Sequence, residues 1–357
     1  MPNRRSWSFD KPRHWTKAAL ALGCAAVLAS GGASAAQDGQ GEFSAYIQSL
    51  WPKARDKGVS RATFDDMSAG LSVNARVIAL DRDNLAGGAT ANNPIPAFAP
   101  YRARHVDAAR INGGRAAHDR LAPLLDRIER DTGVPAPIMI AIYGHETAYG
   151  KVTGTFDLPQ ALATLAYDGR RRSLFEPEFI ATMQMVERGV PRAVLRGSWA
   201  GAFGYPQFLP SVYLRVARDG DGDGRAQIWS SEADAIASIG WYLHQAGWRR
   251  GEPWGVAVRV PGDFDRAALA SRLQPTRCPR VFARHTRWRS MAEWRKAGIV
   301  SESGNWPGDG VQATLLEPDG PGRTAYLLTG NYRAILDYNC SNFYALSVGL
   351  LADEIIR

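Results

Sequence analysis

The residue best suited to acid–base chemistry is a glutamate at the end of an apolar segment. Residues 134–150 begin with Pro135 and Pro137, which can start a helix, and five uncharged apolar residues follow. Glu146 comes near the end of this segment, and Gly150 is placed to stop the helix. Because loss of solvation raises a carboxyl pKa, Glu146 could stay protonated near neutral pH and act as a general acid. The alternative is a glutamate that is simply exposed or paired with an arginine.

The pair His145 and Glu146 also opens the helical zinc motif in which a second histidine lies one turn later. Here that position is Tyr149, and the next histidine along the chain is His244. The spacing excludes this type of zinc site.

A second candidate site is a loop in which aspartates alternate with glycines. Its carboxylates are Asp219, Asp221 and Asp223. With Gly224 at position 6 they match the first half of an EF-hand calcium loop, in which Arg225 would offer its backbone carbonyl. Position 12 is Ser230 and not the usual glutamate, so Glu232 or Asp234 could close the site only in a longer loop. The pattern predicts a structural calcium ion, and the alternative is a solvated turn.

The first 35 residues are typical of a secretory signal peptide. A basic start leads to an apolar run over residues 18–29, and Ala33-Ser34-Ala35 supplies a cleavage site. The run is too short to span a bilayer comfortably, and no later segment resembles a membrane helix. We therefore expect cleavage near Ala35 and a periplasmic protein that is not transmembrane. A lipid anchor at Cys24 is the weaker alternative, because the residues before it fit that pattern poorly.

The charge of the chain is less informative than it first appears. The net charge is +8, but residues 1–35 carry five basic residues and one acidic residue, which leaves +4 on the remainder. Such a mild excess suits an anionic polymer and does not indicate nucleic acid. Without Cys24, the cysteines are Cys278 and Cys340. An even number in an oxidising compartment predicts one disulfide, and the alternative is two buried thiols.

The elements that must position these residues are mostly helical. Apolar residues recur at helical spacing through most of residues 36–251, and residues 101–131 are typical of one amphipathic helix. Residues 256–260 predict a strand, and residues 312–317 and 324–329 flank a Pro- and Gly-rich turn as a hairpin. We therefore predict an α+β fold, mostly α: a helical region at 36–251, a β-rich subdomain at 252–330, and a C-terminal segment at 331–357 that returns to the helices.

Several segments together resemble the lytic murein transglycosylases of the membrane-bound B type. They are YRAR at 101–104, GHETAYG at 144–150, ALATL at 161–165, GSWAGAFGYPQFLPS at 197–211, NYRAI at 331–335 and YNCSNFYA at 338–345. With the Asp-Gly loop, they follow the order of that family and cover most of residues 43–357. The resemblance implies a lysozyme-like helical lobe, a small β-rich subdomain and an EF-hand-like loop at 219–234. The loop is one residue longer here, and Asp234 would be its last calcium ligand.

The resemblance also implies a reaction. Such enzymes cleave the β-1,4 bond between MurNAc and GlcNAc in peptidoglycan and leave a 1,6-anhydro-MurNAc end. Glu146 would be the single acid and base, and the N-acetyl group of the substrate would assist, so no catalytic cofactor is expected. The substrate-binding positions implied are Ser198, Tyr205, Gln207, Arg170, Arg171, Tyr338, Asn339 and Tyr344. The partners implied are glycan strands, and we expect a monomer.

Three other functions are compatible with these residues. A hydrolytic muramidase would use water, which Asp157 or Asp168 could position. A scaffold that binds the wall without catalysis would not need the combination of Glu146 with Ser198. An exported calcium-binding protein would have no glycan cleft. Digestion of isolated cell walls distinguishes all three from a transglycosylase.

Overall fold

The computed structural model describes residues 30–86, 96–271, 275 and 278–357. The chain divides into two compact units, Met1–Glu42 and Phe43–Arg357, and the description below concerns the second. Residues 1–29 of the predicted signal peptide, which include Cys24, lie outside the described residues. No helix within the described ranges has both the length and the apolar character needed to cross a membrane.

Seven α-helices of the described residues precede the segment that carries Glu146. They are α1 (Ser30–Ser49), α2 (Trp51–Asp56), α3 (Arg61–Ser68), α4 (Ala75–Ala86), α5 (Phe98–His105), α6 (Ala108–Arg120) and α7 (Ala122–Thr132). The prediction of one helix over residues 101–131 was wrong, because α5, α6 and α7 divide that range. Asp107 caps α6 by accepting a hydrogen bond from the backbone N–H of Arg110, and Pro123 lies in the first turn of α7, where it has no N–H to donate.

The remaining α-helices of the described residues begin with the one that carries Glu146. They are α8 (Ala136–Thr147), α9 (Leu158–Asp168), α10 (Arg172–Glu187), α11 (Pro210–Val216), α12 (Glu232–Gln245), α13 (Pro279–Phe282), α14 (Met291–Lys296), α15 (Gly330–Tyr338) and α16 (Asn342–Ile355). Pro135 caps α8, as the two prolines predict. Residues 138–144 are all buried, because α6, α7, α12 and α16 pack around α8. This helix is the centre of the main hydrophobic core.

The strands are β1 (Phe156–Asp157), β2 (Arg196–Gly197), β3 (Gly255–Arg259), β4 (Arg289–Ser290), β5 (Val300–Ser301), β6 (Gln312–Leu316) and β7 (Ala325–Leu328). The first two pair with each other, and the others form an antiparallel sheet in the order β4-β6-β7-β3-β5. The predicted hairpin is confirmed, since Leu315 pairs with Leu327 across β6 and β7. Fully buried Trp294 lies in a second, smaller core beside this sheet. The fold is α+β and mostly α, as predicted.

The sheet region is joined covalently to the C-terminal helices. Cys278, just before α13, forms a disulfide with Cys340, just after α15, with a Cα–Cα distance of 5.6 Å. This pairing agrees with the prediction from the cysteine count. It connects the start of α13 to the end of the helix that carries Tyr338.

Candidate active site

The C-terminal end of α8 has an unusual backbone that ends this buried helix one residue after Glu146. The helix ends at Thr147, and Ala148, Tyr149 and Gly150 follow with φ values of 49°, 62° and 80°. The prediction that Gly150 stops the helix was therefore wrong by two residues, since Ala148 is the C-cap. The Thr147 hydroxyl stabilises this turn, because it accepts a 3.0 Å hydrogen bond from the N–H of Gly150 and lies 3.2 Å from the Tyr205 carbonyl oxygen, to which it donates.

Tyr149 explains why two glycines are required around this turn. Its hydroxyl donates a 2.6 Å hydrogen bond to the carbonyl of Arg110. Its ring fills the space that a Cβ atom would take at Gly144 or at Gly113. A larger residue at Gly144 would push Tyr149 away and disturb the turn that places Glu146.

Glu146 has the environment of a general acid. The Tyr344 hydroxyl donates a 2.6 Å hydrogen bond to its Oε1 atom. Burial raises the pKa of Glu146 to about 7, although the hydrogen bond from Tyr344 acts in the opposite direction. Burial raises the pKa of the neighbouring Tyr338 hydroxyl, and ionised Glu146 would add to this effect. The sequence-based prediction of a desolvated acid agrees with this environment.

His145 is a neighbour of this acid that sequence reasoning used only to test for zinc. Its ring packs against Tyr344 at 5.5 Å and against His105 at 5.8 Å, and His105 stacks on Tyr101 at 3.8 Å. Burial lowers the pKa of His145 to about 4, so the imidazole is neutral at physiological pH. A neutral ring beside Glu146 adds no positive charge that would lower the pKa of the acid.

Ser198 lies in a tight turn that leaves its hydroxyl proton available. Its N–H donates a 2.7 Å hydrogen bond to the carbonyl of Ala202, and its Oγ accepts one of 3.0 Å from the N–H of Ala202. The backbone of Gly154 passes so close to Gly197 that a Cβ at residue 154 would collide with it. This contact fixes the position of Ser198 relative to strands β1 and β2.

The segment after Ser198 lies between the C-terminal ends of α8 and α15 and accepts a hydrogen bond from each. Phe203 forms antiparallel bridges with Gly197 and with Phe208, so the segment folds back on itself. At its tip, the Tyr338 hydroxyl donates a 2.5 Å hydrogen bond to the carbonyl of Pro206. Since Thr147 already contacts the carbonyl of Tyr205, this tip lies between Tyr338 and the helix of Glu146.

Gln207 and Asn339 are placed near these contacts in different ways. Gln207 adopts a φ of 50°, and its side-chain amide donates a 2.8 Å hydrogen bond to the carbonyl of Gly204. Asn339 is exposed at the end of α15, where its backbone carbonyl accepts a hydrogen bond from the N–H of Ser341. The structure therefore brings Gln207 close to the tip of the folded segment and leaves Asn339 at the protein surface.

Arg170 and Arg171 have a partner that the sequence did not reveal. Both guanidinium groups form ion pairs with Asp81 on α4, whose side chain is only 2% exposed. Hydrogen bonds from the two arginines lower the pKa of Asp81 against the effect of its burial. Their role as substrate-binding residues stays a prediction, and in this structure they neutralise a buried carboxylate.

The Asp-Gly loop gathers its three carboxylates in one place. Oxygen atoms of Asp219, Asp221 and Asp223 lie within 4.8 Å of one another, and all three residues are exposed. Asp219 accepts hydrogen bonds from the N–H groups of Gly222 and Gly224, which lower its pKa. No ion pair among the described residues neutralises these carboxylates, so their mutual repulsion would favour a bound cation.

Asp234 belongs to the same loop but holds it by other contacts. It is fully buried, and its carboxylate accepts hydrogen bonds of 2.8 Å from the N–H of Gly220 and 2.6 Å from the N–H of Gln227. Burial raises the pKa of Asp234, and the charges of Asp219 and Asp221 add to this effect. Asp234 does not belong to the cluster of Asp219, Asp221 and Asp223. In this structure its two hydrogen bonds join the start of the loop to its end.

Comparison with known protein families assigns the chain that carries these residues to a family. The model of the family described as "Transglycosylase SLT domain" matches residues 42–353. The chain belongs to this transglycosylase family. The matched range contains Glu146, the segment from Ser198 to Gln207, the Asp-Gly loop, α15 and most of α16.

Relatives of this transglycosylase domain include proteins of known structure. The chain is 31% identical over 268 residues to membrane-bound lytic murein transglycosylase B of Escherichia coli (strain K12), which covers 74% of this chain and 69% of that protein. It is similar to SltB3 from Pseudomonas aeruginosa in complex with NAG-NAM-pentapeptide, with 35% identity, a TM-score of 0.77, and coverage of 88% of this chain and 79% of that one. For Escherichia coli Slt35 in complex with calcium, the identity is 26%, the TM-score 0.69 and the coverage 89% and 93%.

Sequence reasoning missed the residues of this transglycosylase domain that act through another side chain. Examples are Asp81 beneath Arg170 and Arg171, and the contact of Glu232, considered above only as a calcium ligand, which accepts a 2.8 Å hydrogen bond from the Tyr143 hydroxyl. For Asp81 no local signal was available, because its partners lie 89 and 90 positions away. For Glu232 a local signal was available, because an acidic side chain in the first turn of a helix, where Glu232 lies in α12, is stabilised by the helix dipole.

Proposed function

We propose that this protein is a lytic transglycosylase that cleaves the β-1,4 MurNAc–GlcNAc bond of peptidoglycan and leaves 1,6-anhydro-MurNAc ends. Membership of the transglycosylase family supports the reaction class. The observation that carries the mechanism is Glu146, whose pKa of about 7 makes both the acid and the carboxylate accessible near neutral pH. One residue that is first an acid and then a base needs this property.

The two proton transfers use one carboxyl group. Protonated Glu146 donates its proton to the glycosidic oxygen while the bond to C1 breaks. The resulting carboxylate accepts the proton of the C6 hydroxyl, and the C6 oxygen closes on C1. The hydrogen bond from Tyr344 occupies Oε1, so Oε2 is free to exchange the proton in both steps.

The substrate stabilises C1 through its own N-acetyl group. Ser198 is suited to orient that group, because its Oγ accepts a hydrogen bond from Ala202 and keeps its own proton for a carbonyl oxygen. Tyr205, Gln207, Tyr338 and Tyr344 contribute the neighbouring sugar contacts. Arg170, Arg171 and Asn339 are further substrate contacts, through peptide or lactyl carboxylates in the case of the arginines.

Hydrolysis by water is the rival mechanism, and the two carboxylates that could position a water are engaged elsewhere. Asp157 caps α9 by accepting a hydrogen bond from the N–H of Gln160, and it pairs with Arg192 at 2.7 Å. Asp168 pairs with Arg82 at 3.1 Å. Neither group is free to act as a base for water, which favours the intramolecular attack by the C6 hydroxyl.

Calcium is proposed as a structural ion of the Asp-Gly loop. The cluster of Asp219, Asp221 and Asp223 fits a hard cation that prefers oxygen ligands. The backbone carbonyl of Arg225 is a further proposed ligand. Asp234 would join the set only by exchanging its hydrogen bonds with the N–H groups of Gly220 and Gln227 for the ion. The complex of the relative Slt35 with calcium supports this assignment. The ion would stabilise the loop, and the proton transfers depend on Glu146.

The proposed place of action is the periplasm. The signal peptide predicted over residues 1–35 supports export, and the relative SltB3 is in complex with NAG-NAM-pentapeptide. The relative from Escherichia coli is called membrane-bound, so attachment through Cys24 remains the alternative to cleavage near Ala35. We propose that the mature protein acts as a monomer.

The test is digestion of purified sacculi by the wild type, by Glu146→Gln and by Glu302→Gln. The last variant makes the same chemical change at an exposed glutamate of the β-rich region. We expect Glu146→Gln to lose activity by about 10²–10⁴-fold or more while it stays folded, because a positioned acid and base is removed. Retention of more than roughly a tenth of the wild-type rate, well outside that range, would refute the role of Glu146.

A further inference from the structure

A cavity next to the Asp-Gly loop has the lining of a second binding site. It has a volume of about 540 Å³ and lies between the residues that follow α10, one face of α11 and the second half of the loop. Its functional groups come from Arg188, Tyr213, Arg225, Gln227 and Trp229. Within the part of the chain that the structure describes, no acidic residue lines this cavity.

The two arginines of the cavity have no carboxylate partner among the described residues. Arg188 donates one hydrogen bond, of 3.2 Å, to the carbonyl of Leu214, and both guanidinium groups are exposed. The acids beside them in sequence are already engaged. Glu187 accepts a 2.7 Å hydrogen bond from the N–H of Ser60, and Asp223 accepts hydrogen bonds from the N–H of Arg225 and from the Gln227 side chain. Neither guanidinium group has an ion-pair partner among the described residues, so both are available to a carboxylate once a bound cation offsets the charge of the Asp-Gly loop.

The aromatic walls add a surface for a ring or a peptide plane. Tyr213 and Trp229 are only partly exposed, and their ring centroids lie 6.2 Å apart. The Tyr213 hydroxyl donates a 3.1 Å hydrogen bond to the carbonyl of Ala226, so this wall is fixed to the loop. Arginine beside an aromatic face suits a ligand that combines carboxylate and apolar parts.

The position of the cavity connects it to the candidate active site. Tyr213 also packs against Phe203, at 5.6 Å, within the segment that carries Ser198 and Gln207. The carbonyl of Ile228, next to Trp229, accepts a 2.8 Å hydrogen bond from the N–H of Tyr205. Phe203 and Ile228 are fully buried, so these contacts fix the wall of the cavity rigidly to the segment that carries Ser198 and Gln207.

We propose that this cavity binds the peptide branch of a peptidoglycan strand, with Arg188 and Arg225 contacting a peptide carboxylate and Trp229 packing against the branch. The identity of the ligand rests on the proposed function, since the strand at Glu146 is peptidoglycan. The site differs from the proposed contacts at Arg170 and Arg171, which are held by Asp81. It would increase affinity for peptide-bearing strands without contributing to bond cleavage.

The test follows Trp229 by fluorine NMR in protein labelled with 5-fluorotryptophan and carrying Glu146→Gln. The variant Trp229→Phe identifies its resonance. We expect NAG-NAM-pentapeptide to shift this resonance and neutral chitotetraose to leave it in place, although both can enter the active site. With Arg188→Gln and Arg225→Gln together, the apparent Kd from this shift should rise about tenfold or more.

The control removes the same charge elsewhere, with Arg130→Gln and Arg323→Gln, two exposed arginines outside the cavity. These changes should leave the apparent Kd unaltered. The proposal is overturned if the pentapeptide ligand does not shift Trp229, if chitotetraose shifts it equally, or if the Arg188 and Arg225 variant binds as the control does. Cleavage by the wild type is measured separately, so a failure of the proposed function is distinguished from a failure of this site.

Discussion

The hydroxyl of Tyr344 donates a 2.6 Å hydrogen bond to Oε1 of Glu146, and the two residues are 198 positions apart in the chain. This bond favours the ionised carboxylate, whereas burial favours the neutral acid, and burial dominates because the pKa of Glu146 is raised to about 7. The balance between the two effects therefore sets the pH at which Glu146 loses its proton and, in the proposed mechanism, its function as an acid.

Tyr344→Phe should move the alkaline limb of the pH–rate profile upward. Without the hydrogen bond the carboxylate loses a stabilising contact, so the pKa of Glu146 rises further, by about one unit for a bond to a charged group. The measurement is kcat/KM on soluble glycan strands across the pH range. Tyr338→Phe is the matched control. The Tyr338 hydroxyl donates its hydrogen bond to the carbonyl of Pro206 and not to Glu146, so removing it should leave the position of the alkaline limb unchanged. A limb that moves downward with Tyr344→Phe would contradict this account.

Glu146→Gln should stabilise the folded protein at alkaline pH. The pKa of Glu146 is higher in the folded state than its ordinary value of 4.5, so the folded state holds the extra proton and stability falls as pH rises from about 4.5 to 7. The glutamine side chain of the variant does not titrate. At pH 8 we expect the variant to gain about 1–3 kcal/mol in the free energy of unfolding, at about 1.4 kcal/mol per pKa unit and reduced for partial exposure.

Denaturant unfolding at pH 4 and at pH 8 measures this gain. At pH 4 the wild type is largely protonated in both states, so its difference from Glu146→Gln should be smaller than at pH 8. The same substitution at exposed Glu302 is the control. A gain of equal size at both pH values would mean that Glu146 is not desolvated.

Calcium should raise the melting temperature of the wild type. If the loop binds the ion with a Kd on the order of 10⁻⁴–10⁻³ M, as extracellular modules do, 10 mM calcium stabilises the fold by about 1.4–2.7 kcal/mol. Asp221→Ala should abolish the calcium-dependent shift, because it removes one carboxylate of the cluster. Asp126→Ala, an exposed aspartate on α7, should preserve it. Equal melting temperatures of the wild type in EDTA and in calcium would identify the loop as a simple turn.

The disulfide should contribute strongly to stability. Cys278 and Cys340 are 62 positions apart, and the chain-entropy model assigns about 4 kcal/mol to closing a loop of that length. Replacing both residues with serine should lower the free energy of unfolding by up to that amount. Thiol titration of the denatured, unreduced protein without residues 1–35 should detect no free cysteine, and two reactive thiols would refute the pairing.

Local sequence patterns predict those features of this protein that depend on residues close together in the sequence. The desolvation of Glu146 follows from the apolar run in which it lies, and the hairpin of β6 and β7 follows from the turn residues between them. The cluster of aspartates is visible for the same reason, because its spacing lies within one loop.

Contacts between distant segments were not predictable in this way. Asp81 gave no local sign that it neutralises Arg170 and Arg171, since the pairing depends on how α4 packs beside α9. Asp234 shows the same limit, because its spacing suggested a calcium ligand while its burial and its two backbone hydrogen bonds depend on the folded loop. The family resemblance supplied Ser198, Gln207 and Tyr344 as cleft residues, but the contacts that hold them required coordinates.

The most direct test of the central claim is mass spectrometry of the muropeptides that the wild type releases from purified sacculi. If Glu146 takes the proton of the C6 hydroxyl and the C6 oxygen closes on C1, the new ends are anhydro sugars, lighter by one water than hydrolytic ends. We predict that anhydro ends dominate with the wild type and with Glu302→Gln, and that Glu146→Gln releases ends of either type at least about 10²-fold more slowly. Reducing, hydrolytic ends as the main product would contradict the mechanism and identify a muramidase.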